Sequence, residues 1–205
     1  MAHKIINTIE ELRQIYPEPS KLAIGKVMAS IDSHSRDFIG ASPFFVLATT
    51  GTGGRSDASP RGGVPGFVHV VDDKHLLLGD KPGNSRLDSY ENILNHPQVG
   101  MLFMIPGISE TLRINGKASI TIDKELLANV ANKAGRAPKA GLLIEVQEAF
   151  LHCAVSLTIS KIWKTYTWPD ERPVSTADTM WADHVEKADA EKANGETDIG
   201  EAGKK

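Results

Sequence analysis

The sequence predicts an α+β fold: a six-stranded antiparallel β-barrel or sandwich, with short helices before it and others inserted between its strands. Three observations carry this expectation. Runs of β-branched and aromatic residues, Phe44–Thr50 first among them, recur between Gly, Asp and Pro turn signals at strand spacing. Helical repeats occur between some of these runs and not others, whereas a parallel sheet would need a crossover after every strand. Finally, 40% hydrophobic and 24% charged side chains in 205 residues are globular proportions, enough for one sizeable core.

The first region, 1–41, reads as helices. Thr8 and Glu11 form a capping box, and Ile9, Leu12 and Ile15 follow at helical spacing until Pro17. A second helix starts at Ser20 with Leu22, Ile24, Val27, Met28 and Ile31 as its apolar face, and Asp32 or Ser33 caps a third through Phe38 and Ile39. These helices are expected to pack on a barrel domain spanning 42–163.

That domain begins with the strand Phe44–Thr50, ended by the turn Gly51-Thr52-Gly53-Gly54. Asp57 to Gly62 returns, Phe67 to Val71 runs into the Asp72-Asp73 turn, and His75 to Gly79 pairs back as a meander. Asn84 or Ser85 caps a helix carrying Leu87, Tyr90, Ile93 and Leu94, which Pro97 stops. Val99 to Ile105 and Thr111 to Thr121 form a hairpin across Pro106-Gly107, Asp123 caps a helix with Leu126, Leu127 and Val130, and Gly141 to Val146 is the last strand. The third region, 164–205, holds a Pro169-to-Pro173 linker, an amphipathic stretch around Met180 and Trp181, and from Glu186 a tail poor in large apolar groups that is expected to be mobile.

Composition narrows the function classes. With 23 Lys+Arg against 26 Asp+Glu the formal net charge is -3, so no global basic field favours nucleic acid. One cysteine, Cys153, allows neither an internal disulfide nor a four-thiolate metal site, and a reducing, cytoplasmic location is expected. The N-terminus shows no apolar secretory core, and the most apolar stretch, Val99 to Ile108, is broken by Pro106 and Gly107 and falls short of the ~20 residues of a membrane span. No membrane association is expected. His152 and Cys153 are adjacent, and neighbours in a strand or helix do not readily face one site, so no metal centre is expected.

Three segments hold candidate chemistry. In Gly79-Asp80-Lys81-Pro82-Gly83-Asn84-Ser85-Arg86-Leu87-Asp88-Ser89 a strand ends, a loop turns and a helix opens. Asn84, Ser85 and Arg86, with Lys81, would make a phosphate cradle there, or else only cap the helix. In Asp57-Ala58-Ser59-Pro60-Arg61-Gly62-Gly63, Pro60 argues for an edge strand and Arg61 for a pocket with an anion in it, the alternative being a surface loop with a solvated arginine. In Thr111-Leu112-Arg113-Ile114-Asn115-Gly116-Lys117-Ala118, Leu112 and Ile114 alternate with Thr111, Arg113 and Asn115, a polar face that meets either a cofactor or water.

Taken in order, these segments resemble the pyridoxamine 5'-phosphate oxidase-like FMN-binding split-barrel family. The resemblance covers Asp32 to Trp163: a strand, the Ser59-Pro60-Arg61-Gly62 strand, a hairpin ending in Leu78-Gly79-Asp80, the Asn84-Ser85-Arg86 helix start, Val99-Gly100-Met101-Leu102-Phe103, and Arg113-Ile114-Asn115-Gly116-Lys117-Ala118. It is most similar to the related FMN-binding subgroup with Ser-Pro-Arg-Gly-Gly and a late stretch like Phe150-Leu151-His152-Cys153. The resemblance implies FMN as cofactor, held by Ser59, Arg61, Asp80, Asn84, Ser85, Arg86, Ser89, Thr111 and Arg113, with Asp88 or Ser89 as alternatives to Arg86 at the phosphate. It also implies a homodimer with its cofactor sites at the interface.

The resemblance does not extend to the vitamin B6 reaction. True oxidases keep an arginine-rich C-terminal segment for the substrate phosphate, where this chain has Thr165-Tyr166-Thr167-Trp168-Pro169. The expected function is an oxidoreductase acting on a small organic molecule, with a flavin carrier or sensor without turnover, or haem or deazaflavin binding, as alternatives. The flavin itself would carry the chemistry, so no catalytic side chain is assigned.

Overall fold

The computed structural model describes residues 4–83 and 85–193. The chain divides into two compact units, Met1–Trp163 and Lys164–Lys205. In the first, the N-terminal helices are shorter than their periodicity suggests. Helix α1 (Ile9–Arg13) has Thr8 Oγ1 accepting from the Glu11 N–H at 3.1 Å, and α2 (Lys21–Gly25) is capped by Ser20, but neither buries a residue. Five residues make little more than one turn, too short for a continuous apolar face. The second helix does not reach Ile31: Met28 instead exchanges two backbone hydrogen bonds with Ala149, 3.0 and 2.7 Å, and Ile31 enters the core from an extended segment. Helix α3 (Ser33–Ala41) is capped by Asp32 and buries Ile39.

The sheet has seven antiparallel strands, one for each of the seven strand runs in the sequence, where a six-stranded barrel was expected. The strands are β1 (Phe44–Thr50), β2 (Ser56–Gly62), β3 (Val68–Val70), β4 (His75–Gly79), β5 (Gln98–Met104), β6 (Thr111–Thr121) and β7 (Gly141–His152), in the order β2-β1-β5-β6-β7-β4-β3. The ladder does not close, and β2 and β3 are its ends. The sheet nonetheless coils until those ends approach: Lys81, after β4, donates to the Gly62 carbonyl at 2.6 Å, and the Phe45 and Phe67 rings stack with centroids 5.8 Å apart. Phe45, Leu47, Met101, Phe103, Leu112, Ile114, Leu142 and Ile144 fill the inside of this split barrel.

Two elements differ from the sequence reading. β7 runs to His152, past the expected end at Val146, because a register shift between Asn115 and Gly116 leaves Gln147 without an opposite residue and pairing then resumes from Glu148. Gly116 lies against this bulge, where an added Cβ would come within 2.1 Å of the Glu145 carbonyl oxygen. Helix α4 (Asp88–Asn95) starts after, not at, Asn84 or Ser85. Ser85 and Leu87 have φ of 61° and 58°, left-handed values that keep both out of a right-handed helix, and Asn84 lies outside the described residues.

Helix α5 (Lys124–Ala128) is capped by Asp123 as expected, and α6 (Val155–Ser160) follows β7. In the second unit, α7 (Ala177–Ala193) runs into the segment expected to be a mobile tail, whose residues beyond 193 lie outside those described. Among the described residues, no helix is long and apolar enough to cross a membrane, and no group of three or more His, Cys, Asp and Glu side chains is placed to hold a metal ion.

Candidate functional site

The site starts from strand pairing. Directly opposed residues of antiparallel strands share a face, so Asp57, Ser59 and Arg61 of β2, opposite Thr49, Leu47 and Phe45, point to the inside of the barrel. On an edge strand without a further neighbour, this polar stripe meets α4. Arg61 Nη1 donates to Ser59 Oγ at 2.7 Å and Nη2 donates to Ser89 Oγ at 2.9 Å, with a longer bond of 3.3 Å to the Pro60 carbonyl. Ser89 is 3% exposed. One turn along the helix, Asn92 Nδ2 donates to Thr49 Oγ1 at 2.9 Å, beside Asp57. α4 therefore lies across the barrel with Ser89, Asn92 and Ile93 inward.

The far end of the sheet reaches the same place. Tyr90 is half-buried near the Asp80 carboxylate, and burial, then the Asp80 charge, push its pKa up to about 12, with Arg61 pulling the other way. Tyr90 is thus neutral at physiological pH. Lys81 Nζ sits 5.1 Å from the Phe67 ring centroid while bonding Gly62, next to Arg61. Among the described residues no carboxylate lies within ion-pair distance of Arg61 or Lys81. A guanidinium held in a fixed orientation by hydroxyls, with an ammonium near and no carboxylate within ion-pair distance, suits an incoming phosphate.

The expected residues are thus partly gathered. Ser59, Arg61 and Ser89 are in direct contact, and the charges of Arg61 and Asp80 both act on Tyr90. Arg86 pairs with Asp88, Nε to Oδ2 at 2.7 Å, with its side chain 76% exposed, and Ser85 is exposed as well. Of the three alternatives at this helix start, Ser89 is the one that meets Arg61. Sequence reasoning placed Tyr90 on an apolar face; the signal available was its hydroxyl, which needs a partner once the ring is half-buried.

Thr111 and Arg113 lie elsewhere. Arg61, Phe45, Phe103 and Leu112 stand opposite one another in a row across β2, β1, β5 and β6, facing inward. Thr111 and Arg113 flank Leu112 and so leave the outer face of the sheet, Thr111 opposite His152 and Arg113 opposite Phe150. Within one chain they are across the sheet from Arg61. On this outer face Arg113 and Lys26 lie over the Phe150 ring, 5.3 and 5.7 Å from its centroid. His152 has its pKa lowered by burial, then by the Arg113 and Lys26 charges.

Several solved structures are similar to this chain. HupZ of Group A Streptococcus is 21% identical, with 59% of this chain and 93% of that one covered at a TM-score of 0.47. A protein related to general stress protein 26 from Clostridium acetobutylicum is 12% identical (58% and 85% covered, TM-score 0.45), and a conserved hypothetical protein, Rv2991, from Mycobacterium tuberculosis is 17% identical (73% and 96% covered, TM-score 0.46). No curated protein matches. The profile described as pyridoxamine 5'-phosphate oxidase matches residues 31–153, well over half of the chain and the whole span from Ile31 through the barrel to Cys153. The chain belongs to the pyridoxamine 5'-phosphate oxidase family.

Proposed function

We propose that the protein is an FMN-binding flavoprotein, an oxidoreductase acting on a small organic molecule, with the FMN phosphate received by Arg61, Ser59, Ser89 and Lys81. The observation that carries this reading is the Arg61 guanidinium, oriented by two hydroxyls beside a second cation and without a carboxylate partner. The donor set fits the group: a fork of N–H donors, hydroxyls and an ammonium match the lone pairs and charge of a phosphate dianion. FMN, when bound, supplies the electron and hydride chemistry.

The chain's own residues then bind and orient. Ser59 and Ser89 fix the plane of the guanidinium, and the Asn92–Thr49 hydrogen bond ties α4 to β1, keeping Ser89 in reach of Arg61. Thr111 and Arg113 are on the other face of the sheet, so one FMN meets both sets if a second copy of the chain presents its outer face to the Arg61 site. This supports a homodimer with cofactor sites between subunits. The apolar outer residues Phe44, Val46, Leu102 and Met104, only half-buried in one chain, support it as well.

The visible spectrum of the purified protein tests the reading. Oxidised-flavin bands are expected, bleached by reduced nicotinamide under anaerobic conditions. A Soret band with no flavin overturns it, and flavin bands that no reductant bleaches leave a carrier in place of an enzyme.

A further inference from the structure

On the outer face of the sheet, across it from Arg61 of the same chain, three cationic or ionisable side chains converge on one aromatic ring. Lys26 arrives from the segment after α2, Arg113 from β6, and Phe150 and His152 from β7. Lys26 Nζ donates to the Leu151 carbonyl at 2.8 Å, which holds the ammonium next to His152. Arg113 makes no side-chain hydrogen bond and no ion pair among the described residues, and its guanidinium lies 5.3 Å from the Phe150 ring centroid. Glu148, on the same face of β7, is engaged by Asn115 Nδ2 at 2.9 Å.

A guanidinium and an ammonium sharing one ring repel each other, and the face of the ring offsets only part of that repulsion. Burial, and after it the same charges of Arg113 and Lys26, lower the pKa of His152. An anion between them relieves all three. Phe150 adds a flat apolar surface beside the charges, which a bare inorganic ion does not need and an organic one uses.

We infer that Lys26, Arg113 and His152, gathered round Phe150, receive the carboxylate or phosphoryl head of a small organic anion. Calling that anion the substrate rests on the flavin reading above; the anion site itself does not. The site discriminates against neutral and cationic molecules of the same size, since these leave the convergent charges unrelieved.

The test follows the His152 ring proton by NMR in the full chain, titrated with inorganic phosphate and separately with benzoate at constant ionic strength set by chloride. A saturable shift with either probe is expected, and the stronger probe identifies the head group. The His152 titration midpoint should rise in its presence, because a neighbouring anion favours the imidazolium. Arg113→Ala and Lys26→Ala should each raise the half-saturating concentration about tenfold or more, with Arg113→Lys recovering part of the loss should the alanine variant fold poorly. Arg36→Ala, which removes an exposed cation paired with Asp73 away from both sites, should leave the response intact. No saturable shift with either probe overturns the inference, as does a response that Arg36→Ala abolishes and Arg113→Ala spares. Flavin content, read separately from the visible spectrum, shows whether the flavin reading fails while the anion site stands.

Discussion

Arg61 is the residue on which the proposed cofactor site turns. Arg61→Ala should weaken FMN binding by roughly 1.5–3 kcal/mol, the worth of a hydrogen bond to a charged group, with the urea midpoint of the flavin-free protein nearly unchanged. Arg86→Ala should cost less, since Arg86 is largely exposed and paired with Asp88. Equilibrium titration of both variants gives the ranking, and a larger loss in Arg86→Ala would move the phosphate to the 85–87 loop. Arg61 and Ser59 were legible because an arginine beside proline on a strand needs a partner; Ser89 was only one of three candidates, since no local pattern tells which side chain of a helix start turns inward.

Tyr90 makes a second prediction at this scale. Its folded pKa, about 12, lies above the 10.0 of an ordinary tyrosine. As pH rises past 10 the unfolded chain loses the tyrosine proton while the folded one keeps it, so stability falls between pH 10 and about 12. Urea unfolding across this window should show a shallower decline in Tyr90→Phe than in the parent; equal slopes would mean that Tyr90 is not held by burial and Asp80.

Among the elements, β6 and β7 set the frame, and the Gly116 bulge sets their register. Gly116→Ala should destabilise the protein by about 1–3 kcal/mol, because the Glu145 backbone has to move; urea unfolding measures it, and an unchanged midpoint would show that the strands can separate there at no cost. A glycine inside an alternating strand was the available sign of this bulge. The hairpins and the Asp123 cap were readable from turn chemistry. The second half of β7 was not, because Glu145, Gln147 and Glu148 look like the end of a strand unless the long partner strand β6 is known. The start of α4 was obscured in the same way: Ser85 and Leu87 take left-handed backbone that neither residue type announces.

For the whole molecule, the sheet was legible as a class and its coiling was not, since what brings Lys81 to Gly62 is contact between strands at opposite ends of the order. That contact assembles the Arg61 site, so site and barrel form together. Ending the chain before Glu186 should leave FMN affinity unchanged, because every residue of the proposed phosphate site lies within Met1–Trp163; cofactor loss on truncation would contradict this. If the proposed dimer shares its cofactor site between subunits, FMN should suppress its dissociation on dilution in sedimentation.

The most direct measurement is titration of flavin-free protein with FMN and with riboflavin, followed by quenching of flavin fluorescence. FMN should bind about tenfold or more tightly than riboflavin, the difference being the phosphate's charge-assisted bonds, and Arg61→Ala should remove most of that gap. Equal affinities in the parent protein, or a gap that Arg61→Ala leaves intact, would contradict recognition of the phosphate by Arg61.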